Sequence, residues 1–203
     1  LSRAGADAVR VRRPKDLDGL DGLVLPGGES TTISKGLARE GLYEPLEEFA
    51  RAGHPLLGTC AGAILLAREA ENHPVRTLGL LDVTAVRNAY GTQVDSFAAV
   101  AEAAPPLEGI RCIFIRAPRL RRPGPEVEVL ARVDGWPVCV RQGRVLAAGP
   151  LSVVSAPHHE PSARLSGPFC EAFIHLLENM GGNGGDIGAQ REDLRSGGED
   201  VVR

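Results

Sequence analysis

Residues 54 to 67, H-P-L-L-G-T-C-A-G-A-I-L-L-A, limit the choice of fold more than any other part of the chain. A short apolar run that breaks at small-x-Cys-x-Gly and resumes as an Ala/Leu-rich segment reads as a buried strand, a tight turn and a helix over 61–70. Small neighbours let such a turn close sharply and project the residue at its tip, here Cys60. A helix N-terminus there would favour the thiolate over the thiol and offer backbone N–H groups to an oxyanion. Taken alone, the same spacing also suits a small buried cysteine with no catalytic role.

The flanking sequence fits an α/β protein. D-A-V-R-V-R-R (7–13) and D-G-L-V-L-P-G-G (21–28) read as strands, the second ending in a Gly-rich turn. Ser30 and Thr31 are candidate caps for a helix over 32–40, and a second helix covers 43–52. The middle of the chain is β-rich: L-L-D-V-T-A-V-R-N, Q-V-D-S-F-A-A-V-A-E-A, I-R-C-I-F-I-R-A-P, E-V-E-V-L-A-R-V, W-P-V-C-V-R-Q and G-R-V-L-A-A-G are separated by Pro/Gly turns. The sheet is therefore expected to continue with antiparallel strands. C-E-A-F-I-H-L-L-E-N-M (170–180) reads as an amphipathic helix, and the Gly-rich, charged segment 181–203 as a disordered tail.

The 203 residues are 43% apolar, enough for one sizeable core and too few for two independent ones. The net charge of -3 comes from interspersed acids and bases, which points away from nucleic acid and anionic membranes. Cys60, Cys112, Cys139 and Cys170 show no C-x-x-C spacing and mostly sit in apolar runs, as expected in a reducing cytoplasm. No apolar run approaches a membrane span.

Two further stretches carry chemistry. In L-P-G-G-E-S-T (25–31), glycines after a strand can turn amides toward a ligand, and an ordinary helix start would look the same. No nucleotide-binding glycine pattern is present. In S-A-P-H-H-E-P (155–161), His158 and Glu160 share a face if the chain is extended, so Glu160 could orient an imidazole aimed at Cys60. His159 and Glu160 do not share one. A solvated polar turn is the plainer reading of an isolated H-x-E. A zinc site of His158, His159 and Cys170 lacks paired spacing and a fourth ligand.

Together, L-V-L-P-G-G-E-S-T-T-I-S-K-G-L, P-L-L-G-T-C-A-G-A-I-L-L-A-R-E, L-G-L-L-D-V-T-A-V-R-N-A-Y-G-T-Q-V-D-S-F and I-F-I-R-A-P resemble the glutaminase subunits of pyridoxal 5'-phosphate synthase, the PdxT/SNO family of class I glutamine amidotransferases. The resemblance covers residues 1 to about 148, with weaker similarity over 158–177. It implies a flavodoxin-like three-layer α/β fold with a mixed, mostly parallel sheet. It also implies hydrolysis of L-glutamine to glutamate and ammonia, with the ammonia passing to a PdxS/SNZ-type synthase subunit in a hetero-oligomer that makes pyridoxal phosphate. No cofactor and no metal are implied. Carried over by position, Cys60 is the nucleophile, His158 the base and Glu160 its orienter. Gly28, Glu29, Ser30, Arg87, Ile115 and Arg116 bind glutamine.

Three departures bear on these expectations. The family's first strand has no counterpart, so the glutaminase domain over 1–180 is expected to lack it. G-P-L-S-V-V-S-A-P stands before His158, where the family has a short step. The family's H-P-E is His158, His159 and Glu160, and its G-R-Q is Gly91, Thr92 and Gln93. Two alternatives to an active glutaminase follow: a catalytically impaired binding or regulatory subunit of the same complex, and a glutaminase of another amidotransferase pathway.

Overall fold

The computed structural model describes residues 7–72, 75–87, 97–105, 107–114, 117–149 and 152–153. At the centre lies β2 (Leu56–Thr59), buried along its whole length. A run without polar alternation is what a strand covered on both faces requires. On one side β2 pairs in parallel with β1 (Leu23–Leu25), with Leu25 opposite Gly58. On the other it pairs in parallel with β11 (Val145–Ala148), with Ala148 opposite Thr59.

Beyond β11 the sheet changes sense. β10 (Trp136–Gln142) is antiparallel to β11, β9 (Glu128–Val133) to β10, and the two-residue β6 (Glu102–Ala103) to β9. The order is β1-β2-β11-β10-β9-β6, so β11 joins a parallel half to an antiparallel meander. Side chains alternate across the sheet. Leu56 enters one core cluster with Leu65, Leu66 and Leu81, and Leu57 enters another with Cys112, Phe114 and Leu146.

Helices form the first of these layers. α1 (Ser30–Arg39) turns Ser34 and Leu37 inward, and α2 (Tyr43–Arg51) buries Tyr43, Leu46 and Phe49 at the three-residue spacing of an apolar stripe. The Ser34 hydroxyl lies 2.6 Å from the Tyr43 hydroxyl, which donates to the Arg76 carbonyl at 2.8 Å. The Arg76 guanidinium stacks 3.9 Å above the Tyr43 ring. This buried polar knot ties α1 and α2 to the segment that leads into β4 (Leu81–Val86).

α3 (Ala61–Leu66) is shorter than its composition suggests. It is buried all round, and the chain leaves it directly into β3 (Ala67–Glu71), where a helix continuing to residue 70 was expected. β3 pairs in parallel with β4, which pairs antiparallel with β8 (Arg119–Arg121). Cross-strand contacts overrode helix propensity here: Arg68 bonds to Asp82, and the Thr84 hydroxyl donates to Glu69 at 2.7 Å. A third small sheet has the order β12-β7-β5, from β5 (Phe97–Val100), β7 (Arg111–Phe114) and β12 (Ser152–Val153).

Residues 7–12, expected as part of a strand, have no regular structure and run into a 3-10 turn at Pro14–Leu17. Alternating valines make a strand only where a neighbour supplies ladder hydrogen bonds. Among the described residues β2 is the only ladder partner of β1. The other side of β1 faces a groove of about 1040 Å³ lined by Val9, Val11, Leu20 and Leu37 among others. No helix among the described residues is long and apolar enough to cross a membrane. The expected helix at 170–180 and the tail at 181–203 lie outside the described residues.

Candidate active site

The carboxyl ends of β1, β2 and β11 lie on one edge of the sheet, where open α/β proteins bind their ligands. The P-G-G-E loop follows β1, and Cys60 follows β2. Cys60 has φ 50° and ψ -104°, a conformation that costs a side-chain-bearing residue on the order of 1–3 kcal/mol and persists only when its surroundings impose it. Those surroundings are visible. The Cys60 N–H donates to the Ala148 carbonyl at 2.9 Å, and the Ile64 N–H donates to the Cys60 carbonyl at 3.2 Å. Gly58 and Gly62 leave the turn its room: a Cβ on Gly58 would lie 2.5 Å from Leu66 Cδ1, and one on Gly62 1.9 Å from the Leu25 carbonyl oxygen. The sharp elbow expected from the spacing is present.

The electrostatics differ from expectation. Burial pushes the Cys60 thiol up, and the Ala61 N–H bonded to it acts in the opposite sense without prevailing. A one-turn helix start is outweighed by loss of water around a half-buried sulfur. The described residues alone therefore do not supply a thiolate.

Glu29 occupies the start of α1 in place of the expected Ser30 or Thr31 cap. Its Oε1 accepts from the Thr31 N–H at 3.0 Å, and its Oε2 from the Thr32 N–H at 2.7 Å and the Thr32 hydroxyl at 2.8 Å. Arg87 arrives from the end of β4, with Nη2 3.1 Å from Glu29 Oε1 and Nη1 3.5 Å from Thr31 Oγ1. The backbone N–H of Thr31, then the Thr32 hydroxyl, hold the Glu29 carboxyl down at about 2. Gly28, with φ 155°, gives the loop a backbone shape that side-chain-bearing residues avoid.

Two buried hydroxyls, Ser30 Oγ and Thr59 Oγ1, find no hydrogen-bond partner among the described residues. The first lies one residue after Glu29 and the second one residue before Cys60. The sequence points to Ser30, and to Thr31 only as a helix cap, and gives Thr59 and Thr32 no role. The only signal was their adjacency to P-G-G-E and G-T-C.

Of the expected site residues, Glu29 and Arg87 are brought into contact, with Gly28 and Ser30 beside them in the chain. α3, which follows Cys60, packs on both α1 and β1. Ile115, Arg116, His158, His159 and Glu160 lie outside the described residues. No group of three or more His, Cys, Asp or Glu among the described residues is arranged to hold a metal.

A cysteine on a strained strand-to-helix elbow at the carboxyl edge of a mixed sheet, with a glycine-rich loop after the adjacent parallel strand and an arginine held on that loop's glutamate, is the architecture of a glutamine amidotransferase. A crystal structure of a glutamine amidotransferase aligns with it at a TM-score of 0.75 and 40% identity, covering 87% of this chain and 89% of the other. The family model of the SNO glutamine amidotransferases matches residues 1–155, and the chain belongs to that family. Pyridoxal 5'-phosphate synthase subunit PdxT of Fervidobacterium nodosum is 47% identical over 146 residues, 72% of this chain and 76% of the relative. The subunit of the same name from Koribacter versatilis is 49% identical over 148 residues, 73% and 76% respectively.

Proposed function

We propose that this chain hydrolyses L-glutamine to L-glutamate and ammonia through a cysteine thioester, and that the ammonia serves a pyridoxal 5'-phosphate synthase. The observation that carries the reading is Cys60 at the tip of the elbow, its backbone fixed by Ala148 and its two glycines unable to accept a Cβ. Family membership and PdxT-named relatives at close to half identity support the same reading.

The chemistry follows from the groups in place. The substrate presents an α-carboxylate, an α-ammonium and a side-chain amide. Arg87 carries a guanidinium suited to a carboxylate, and its planar fork favours bidentate recognition. The Cys60 thiol gives its proton to a base as sulfur attacks the amide carbon. The same base then protonates the nitrogen as the C–N bond breaks and ammonia leaves. Water adds to the thioester, its proton passing to the base, and glutamate departs as sulfur regains a proton. We assign the base to His158 and its orienter to Glu160, and a share of substrate binding to Gly28, Ser30, Ile115 and Arg116, with Glu29 contributing through its contact with Arg87.

A thiol held up by burial makes the base a requirement rather than an aid. A partner would matter because free ammonia must be shielded from water. We therefore place the chain in a hetero-oligomer with a synthase subunit in the cytoplasm, the glutaminase domain running over 1–180 and a separate tail over 181–203.

The test is ammonia release from L-glutamine, measured with and without added synthase subunit. Release that requires the synthase subunit and disappears in Cys60→Ala is expected. Binding of the synthase subunit without any release would support the impaired-subunit reading instead, and full activity in Cys60→Ala would overturn the mechanism.

A further inference from the structure

We infer that Glu29 is a positioning residue: its carboxylate fixes Arg87 for the α-carboxylate of the substrate and does not itself bind the α-ammonium. The inference rests on the glutaminase reading above and assigns a division of labour within that site.

The argument is one of capacity. An ionised carboxylate offers about four acceptor positions, two on each oxygen. All four are taken: Oε1 by the Thr31 N–H at 3.0 Å and Arg87 Nη2 at 3.1 Å, Oε2 by the Thr32 N–H at 2.7 Å and the Thr32 hydroxyl at 2.8 Å. With its carboxyl held at about 2, Glu29 is ionised at any working pH. An incoming ammonium would have to displace a helix-capping amide, a hydroxyl or the guanidinium. Each loss would break a capping bond at the start of α1 or free Arg87.

Arg87 shows the complementary arithmetic. A guanidinium carries five N–H donors, and two are aimed at Glu29 Oε1 and Thr31 Oγ1. Three remain, one more than a bidentate carboxylate uses. Its side chain is only 12% exposed against 55% for Glu29. Arg87 is thus a largely desolvated cation whose orientation is set by the neighbouring carboxylate, an arrangement in which the supporting anion raises precision without touching the ligand. The α-ammonium is then left to other acceptors, such as backbone carbonyls of the site.

The decisive experiment compares Glu29→Gln with the natural chain, both assembled with the synthase subunit, on three amides. These are L-glutamine, 4-carbamoylbutanoate, which lacks the amino group, and 4-aminobutanamide, which lacks the carboxylate. Glu29→Gln is expected to lower kcat/KM by about tenfold or more, mainly through KM, equally for glutamine and 4-carbamoylbutanoate. The loss should shrink to a few-fold, at most ~3, for 4-aminobutanamide, which has nothing for Arg87 to hold. A loss that vanishes with 4-carbamoylbutanoate and persists with 4-aminobutanamide would mean that Glu29 binds the ammonium. A loss of equal size on all three would reduce Glu29 to a helix cap. Either result overturns the inference.

Thr32→Val should reproduce part of the effect and Thr32→Ser should restore it. A readout independent of turnover is the Arg87 Nε–H signal in nitrogen-15 NMR, expected to be resolved and slow to exchange in the natural chain and averaged in Glu29→Gln. An unchanged signal overturns the inference whatever the activity. A natural chain that releases no ammonia even with its synthase subunit refutes the glutaminase reading, and the NMR comparison still decides whether Glu29 positions Arg87.

Discussion

Gly62 approaches Leu25 so closely that a single added carbon would lie 1.9 Å from the Leu25 carbonyl oxygen. α3 is therefore seated directly on the backbone of β1, which sets the distance between the elbow and the P-G-G-E loop. Gly62→Ala must push the two apart, and overpacking of this kind costs on the order of 1–3 kcal/mol. Gly36, in the middle of α1 with nothing within 4 Å of an added Cβ, supplies the contrast. Gly36→Ala should stabilise by roughly 0.5–1 kcal/mol. Urea unfolding of both variants checks the pair, with opposite signs expected.

The acid limb of stability should carry the mark of Glu29. Its carboxyl is lowered from 4.5 to about 2, so its contribution is fully present above the unfolded value and is lost as pH falls through the folded one. Between pH 4.5 and about 2 the natural chain should lose stability more steeply than Glu29→Gln, which has no proton to gain there. Thermal unfolding across that range reads the difference, and parallel curves would mean that the carboxylate is not held as described.

Thr59 should behave in the reverse way from most buried residues. Its hydroxyl is buried without a partner among the described residues, and an uncompensated hydroxyl costs about 1–3 kcal/mol. Thr59→Val keeps the shape and removes the oxygen, so the unfolding midpoint is expected to rise. A lower midpoint would reveal a partner for that oxygen.

Tyr43→Phe tests the knot between α1, α2 and the segment before β4. Tyr43 is 1% exposed, and its hydroxyl meets both Ser34 and the Arg76 carbonyl. Removing that buried hydroxyl leaves only the 3.3 Å bond from the Ser34 hydroxyl to the Arg76 carbonyl, which should cost about 1–3 kcal/mol. Tyr43→Phe with Ser34→Ala should cost less than the two separate losses added together, because the pair shares one network. Equilibrium unfolding of the two single variants and the double variant measures the coupling.

These contrasts show where sequence is informative. The segment from Leu56 to Leu66 was readable because each local preference agrees: a short strand opening on two leucines, small residues at the turn and Ala/Leu after it. The strands β9 and β10 were readable as β-rich runs separated by a Gly turn, which falls at Asp134 and Gly135, both with positive φ. β3 was not, because A-R-E-A-E favours a helix in isolation and only its pairing with β4 makes it a strand. The valines at 9 and 11 showed the opposite failure, a strand pattern without a ladder partner.

The site divides along the same line. Cys60 and Arg87 were singled out from motifs, whereas the contact Glu29 makes depends on a partner 58 positions away. A glutamate cap beside a serine and two threonines is not the choice local statistics favour. The Cys60 thiol shows a related limit: a helix start is visible in sequence, and the burial that pushes the thiol up is not.

The change of strand sense at β11 has a consequence for how the chain comes into being. The meander β9-β10-β11 is local and can close as soon as it is made. Leu56 in β2, by contrast, must wait for Val145, roughly ninety residues later, before its inner edge is covered. During synthesis the strand that leads into Cys60 therefore leaves the ribosome early and stands half-paired until β11 emerges, and only then can the Cys60 N–H reach the Ala148 carbonyl that fixes the elbow.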